Sequence, residues 1–152
     1  MKRILTLAAF ATLGLTTAAA PSGRDSPDSK KPTITVYKDP ECGCCKSWIE
    51  HLIKHGYLVH VNDTRELAQV KQSLGVPGQL KACHTALVGG YLVEGHVPAS
   101  DIDRLLKQRP KVAGIAVPGM PVGSPGMEMG APQPYSVISF DKTGKTAVFA
   151  SH

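Results

Sequence analysis

Residues 33 to 56 read T-I-T-V-Y-K-D-P-E-C-G-C-C-K-S-W-I-E-H-L-I-K-H-G, and this stretch decides the fold. Its first six residues alternate in the manner of a strand rich in β-branched side chains, and Asp39-Pro40 supplies the turn that ends it. From Cys45 the period changes. Trp48, Ile49, Leu52 and Ile53 recur at helical spacing until Gly56 stops the pattern. Cys42, Cys44 and Cys45 therefore stand where a strand hands over to the first turn of a helix.

Toward the C-terminus, Tyr57 to Val61 reads as a second strand. Residues 64 to 74 read as a second helix with Leu67, Val70 and Leu74 on one face and Gly75 as terminator. A strand-helix-strand-helix start places its strands in parallel through a right-handed crossover. The stretches Ala82 to Val88 and Tyr91 to Val97 form a hairpin across Gly89-Gly90, and Ser100 caps a third helix at 101 to 108. This order predicts an α/β domain of thioredoxin-like type, a mixed sheet with flanking helices. Residues 109 to 134, rich in Gly and Pro, read as one long loop, which in a compact domain is functional or disordered. Tyr135 to Phe140 and Thr146 to Ala150 then add a C-terminal hairpin.

Toward the N-terminus the chain changes character. Residues 1 to 20 read as a cleavable secretory signal: Lys2 and Arg3 open it, an apolar run follows to about Leu15, and small residues close it. Residues 21 to 32, rich in Pro, Ser and charge, read as a disordered linker. The folded domain is thus expected over residues 33 to 152, exported to the periplasm and without a membrane anchor once the signal is removed. Loss of Lys2 and Arg3 lowers the formal charge from +5 to +3. Neither a basic stripe nor an aromatic-basic motif is present, so nucleic acid is not an expected partner.

Four cysteines in an exported chain suggest two structural disulfides by default. Here three of them fall within four residues, and adjacent Cys44 and Cys45 are awkward partners for each other. The helix N-terminus at Cys42–Cys45 favours thiolate over thiol, preparing sulfur as a ligand or a nucleophile. Cys83 begins the third predicted strand, and a thioredoxin-like fold brings that point toward the cysteine helix. Four thiolates in one partly buried pocket repel one another, so such a cluster must be protonated, oxidised or neutralised by metal.

Soft thiolates select Cu(I), zinc or iron-sulfur clusters, and export argues against the last. A single tetrahedral zinc prefers ligands two to four residues apart, which contiguous Cys44 and Cys45 do not offer. Thiolates can instead bridge several Cu(I) ions whose charges offset those of the sulfurs. A disulfide-exchange reading stands beside the metal reading, because C-G-C-C-K is similar to the C-G-x-C-K of thioredoxins. Cys44 and Cys83 are what that activity would not need.

The segments P-E-C-G-C-C-K-S-W at 40 to 48, C-H-T-A at 83 to 86, G-Y-L-V-E-G-H-V-P at 90 to 98 and G-I-A-V-P-G-M-P-V-G-S-P-G-M-E at 114 to 128 carry a resemblance to a known family. They resemble the small periplasmic CxCC metal-binding proteins, long grouped as a domain of unknown function, that include the copper-resistance protein CopG. The resemblance covers about residues 33 to 150. It implies a thioredoxin-like fold, a periplasmic location and a cysteine-bridged cluster of several copper ions at Cys42, Cys44, Cys45 and Cys83. A protein of this kind would exchange copper with other periplasmic copper-handling proteins.

Further residues have a sharp and a plain reading. Met120, Met127 and Met129 carry thioethers able to receive Cu(I) and pass it on; the plain reading is that they pack the loop against the domain. His84 and His96 are candidates for a further ligand or a hydrogen-bond partner of the cluster, although a lone histidine is more often structural. His51 and His55 have chelating spacing but lie opposite the Trp48 face, which reads as a solvated surface. Trp48 itself reads as core.

Overall fold

A computed structural model describes residues 31–152. The expected signal and residues 21–30 of the expected linker lie outside the described residues. Lys31, within that linker, is seated on the domain: its ammonium pairs with Asp103 at 2.8 Å and lies 4.4 Å from the centre of the Tyr57 ring.

The chain runs β1 (Ile34–Lys38), α1 (Gly43–Lys54), β2 (Val59–Asp63), α2 (Leu67–Ser73), a 3-10 turn at Gly78–Leu80, β3 (His84–Val88), β4 (Tyr91–Gly95), α3 (Ala99–Gln108), β5 (Gly114–Val117), β6 (Ser136–Phe140) and β7 (Thr146–Ser151). One seven-stranded mixed sheet has the order β2-β1-β3-β4-β5-β6-β7. β1 pairs with β2 and β4 with β5 in parallel; the other pairs are antiparallel. This is the expected α/β class, and nothing in the strand order conflicts with a thioredoxin-like scaffold. Gly89 and Gly90 both have positive φ, as a two-residue hairpin between Val88 and Tyr91 requires.

The sheet separates two cores by the alternation of strand side chains. Val36, Ala86, Val93, Ile115 and Val117 meet Trp48, Ile49 and Leu52 of α1 and Ile102 and Leu105 of α3. On the opposite face Leu92, Ala116 and Phe140 pack with Val76 and Leu80 beyond α2.

Besides shifts of one to three residues at element ends, as in β2 and α2, two features differ from the sequence reading. Residues 109 to 134 are not one loop, since β5 occupies Gly114–Val117 at the sheet's interior and is buried throughout. A strand covered on both faces does not alternate, so a three-residue apolar run between Gly114 and Pro118 leaves no period to detect. The first residue of α3 is Ala99, with Pro98 preceding it, so Ser100 lies within the helix rather than capping it.

Candidate metal centre

The site forms where the strand ends β1, β3 and β4 meet the first turn of α1. Asp39 starts the turn: its carboxylate accepts the Glu41 N–H at 2.8 Å and its carbonyl accepts the Cys42 N–H at 3.1 Å. Cys42 then occupies the N-cap position, and no acidic residue stands in the first turn of α1 to compete with sulfur for its N–H groups. Cys45 is fully buried beside Trp48, whose indole N–H donates to the Val97 carbonyl at 2.8 Å. That bond ties α1 to the segment following β4.

Cys83 immediately precedes β3 and reaches the same place. The four sulfurs of Cys42, Cys44, Cys45 and Cys83 all lie within 4.8 Å of one another. Cys42 and Cys45 are joined as a disulfide, while Cys44 and Cys83 are free. Cys44 Sγ is 3.6 Å from Cys42 Sγ and 4.0 Å from Cys83 Sγ. The convergence expected from the sequence is present, and two of the four sulfurs are in oxidised form.

Both candidate histidines stand against Cys83. His96 Nε2 is 3.0 Å from Cys83 Sγ, and His96 Nδ1 is 2.7 Å from the Pro125 carbonyl. A carbonyl only accepts, so Nδ1 carries a proton. Burial lowers the His96 pKa against the opposing effect of that carbonyl, which leaves Nε2 unprotonated and able to accept the Cys83 S–H. Burial, and secondarily the nearby Cys44 sulfur, pushes the Cys83 thiol up to about 12. His84 Nδ1 is 3.4 Å from the same sulfur, its ring lies 4.2 Å from the Trp48 ring, and its Nε2 is buried without a hydrogen-bond partner. Burial, then His96 and Lys71, holds its pKa well below the ordinary value. Cys83, His84 and His96 thus form a second donor group sharing one sulfur with the first.

The segment after β5 closes over this centre. Gly123 N–H bonds the Met127 carbonyl, Met127 N–H bonds the Ser124 carbonyl, and the buried Ser124 hydroxyl donates to the Pro121 carbonyl at 2.7 Å. Gly126, at φ +86, seats against α1. A Cβ there would stand 2.9 Å from the Cys44 carbonyl oxygen and the Trp48 nitrogen, and 3.2 Å from His96 Nδ1. Met127 and Met129 line an open cleft of about 480 Å³ together with Cys44, Ser47 and Glu128. Met120, at φ 56, is not among the residues lining it.

His51 departs from the solvated reading. It is partly buried, and its Nε2 accepts the Ala99 N–H at 3.0 Å, satisfying a donor at the start of α3. His55 is exposed, and its Nδ1 donates to the His51 carbonyl at 2.8 Å. Four-residue spacing on the helix revealed the pair but not that one ring turns toward a neighbouring helix.

The family model "Protein of unknown function, DUF411" matches residues 80–127, the span from just before Cys83 to Met127. Two solved structures, titled copper resistance protein copG, Form 2 and Form 1, are 45% and 46% identical to this chain, each with a TM-score of 0.76. Both alignments cover 80% of this chain and 98% of the other. The chain belongs to the CopG family. Its relatives are copper resistance proteins, and the chain itself carries a cysteine cluster that could hold metal. Comparison with curated proteins gave no match. Among the described residues of this CopG-family chain, no helix is long and apolar enough to cross a membrane.

Proposed function

We propose that this protein binds copper in the periplasm, holding several Cu(I) ions through Cys42, Cys44, Cys45 and Cys83, and contributes to copper resistance or homeostasis. The observation that carries the reading is the placement of all four sulfurs within 4.8 Å although Cys83 is remote from the other three in sequence. The donor set suits a soft monovalent cation: four polarisable sulfurs, flanked by imidazole nitrogens of His84 and His96, behind a cleft lined by thioethers. Copper is the cargo here. It replaces thiol protons, and each Cu(I) balances one thiolate charge in a partly buried pocket.

Full use of the site requires the Cys42–Cys45 disulfide to open. A dithiol reductant supplies the two electrons and two protons, leaving two thiols here and a disulfide on the reductant. The Cys83 proton then leaves from beside His96. The cleft that Met127 and Met129 line with Cys44 supports uptake of copper from solution through these two thioethers; Met120 does not line it. His84 and His96 supply either a further ligand or a polar contact that fixes Cys83. Copper resistance in the CopG relatives and the signal expected at residues 1 to 20 support the periplasmic setting.

The Cys42–Cys45 disulfide at a helix N-terminus supports a second reading, a thiol-disulfide oxidoreductase of thioredoxin type. Titration of the reduced chain with Cu(I) under anaerobic conditions, with thiols counted before and after, separates the two. More than one copper per chain with all four thiols protected supports the cluster. Catalytic reduction of a protein disulfide by a chain that retains no copper supports the exchanger and defeats the copper proposal.

A further inference from the structure

On the α2 side of the sheet, directly behind Cys83, lies a buried ion pair that none of the metal chemistry uses. Lys71 is 4% exposed and Glu94 and Thr85 are fully buried. Lysine and glutamate are almost never buried to this degree unless paired. Lys71 Nζ lies 2.5 Å from Glu94 Oε1 and donates to Thr85 Oγ1 at 2.8 Å. The Thr85 hydroxyl donates to Glu94 Oε2 at 2.6 Å, and the Ala82 N–H donates to Glu94 Oε1 at 2.6 Å.

The Glu94 carboxylate therefore grips the chain at Ala82 and Thr85, the two residues that bracket Cys83 and His84. The pairing registers show why a grip is needed. β1 pairs with β3 only as far as His84 and β4 only as far as Thr85, so Ala82 and Cys83 lie beyond the ladder. Gly95 presses on the same point, since a Cβ there would stand 2.7 Å from Ala82 Cβ. A buried ion pair is weak grounds for stability, because well-packed apolar residues of similar volume often serve as well. Its value here is directional.

We infer that Glu94, oriented by Lys71 and Thr85, is a positioning residue that fixes the Ala82–Cys83 segment and so sets the distance from Cys83 to the sulfurs of α1. Glu94 touches no sulfur and acts through the backbone at Ala82. The inference concerns a member of the proposed copper site, but its test uses no metal, so the outcome is independent of whether copper is the cargo.

The test starts from the chain with the Cys42–Cys45 disulfide intact, leaving Cys44 and Cys83 as thiols 4.0 Å apart. A diazenedicarboxamide oxidant takes two electrons and two protons from the pair, becoming the hydrazine and closing a Cys44–Cys83 disulfide. Its rate is followed by mass mapping. In Lys71→Met with Glu94→Leu, which removes both charges and the acceptor, closure is expected to slow at least about tenfold while the thermal midpoint stays close to that of the parent chain. In Lys71→Met with Glu94→Gln the amide oxygen still accepts the Ala82 N–H, and closure returns to within about threefold of the parent rate. If the apolar pair does not fold, Thr85→Val with Lys71 and Glu94 intact takes its place, again with slowed closure expected. Closure at the parent rate in the variant lacking the acceptor or hydroxyl, or no rescue by glutamine, overturns the inference.

Discussion

Substituting Gly126 by alanine should unseat the segment that covers the cysteines, and the size of the effect can be worked from its surroundings. At φ +86 an L side chain is strained by about 1–2 kcal/mol. Its Cβ would also stand 2.9 Å from both the Cys44 carbonyl oxygen and the Trp48 nitrogen. These are backbone atoms of α1 that cannot swing aside, so overpacking adds about 1–3 kcal/mol. Gly119 supplies the control: it has φ +80 with nothing within 4 Å of a built Cβ, so alanine there carries the torsional strain alone. Urea denaturation of both variants should show Gly126→Ala the less stable by about 1–3 kcal/mol. The displaced segment withdraws the Pro125 carbonyl from His96 Nδ1, so nitrogen NMR should show the His96 ring passing from one tautomer to a mixture. Equal stability of the two variants within about 0.5 kcal/mol, with the His96 tautomer unchanged, would refute the argument that this contact holds the cover in place.

Stability should fall as pH drops below neutrality. His51, His84 and His96 all have pKa values lowered from 6.5, chiefly by burial. The unfolded chain then takes up protons first, so the stabilisation is complete above about 6.5 and declines below it. His51→Gln, which keeps an acceptor for the Ala99 N–H but does not titrate, should show a shallower decline in urea midpoint between pH 7.5 and 5; an identical slope would show that His51 contributes nothing. Trp48→Phe leaves the buried Val97 carbonyl without its donor and should cost about 1–3 kcal/mol in denaturation, against no loss if water replaces the indole. Met127→Leu with Met129→Leu should slow Cu(I) uptake in stopped-flow measurements without lowering equilibrium affinity, whereas Met120→Leu should leave the rate unchanged. An unaltered rate in the double variant removes the relay.

The parts of the molecule visible in the sequence are those in which one face is wet and the other dry, or in which a turn signal joins two apolar runs. β1 and α1 declare themselves through periods of two and 3.6, and the β3–β4 hairpin, covered on both faces, through Gly89-Gly90 between its two runs. β5 has neither signal, because both of its faces are covered and its four residues stand in a Gly- and Pro-rich stretch with no hairpin turn to its neighbour. At the site, Cys42, Cys44 and Cys45 were legible from local spacing alone, and Cys83 only once the strand order was inferred. Lys71 was hidden for a different reason. It lies on the same side of α2 as Leu67, Val70 and Leu74, where a charge reads as a break in the pattern, and only the position of Glu94 on β4 explains its burial. His51 likewise takes its role from Ala99, a contact between two helices that no short-range spacing encodes.

Copper X-ray absorption on the reduced, anaerobically loaded chain and on its Cys83→Ser variant examines the coordination directly. Sulfur scatterers should dominate the first shell of the parent chain, with a copper–copper shell beyond it that weakens sharply when Cys83 is replaced. A first shell made mainly of nitrogen and oxygen, or a spectrum indifferent to the loss of Cys83, would contradict a shared four-sulfur centre.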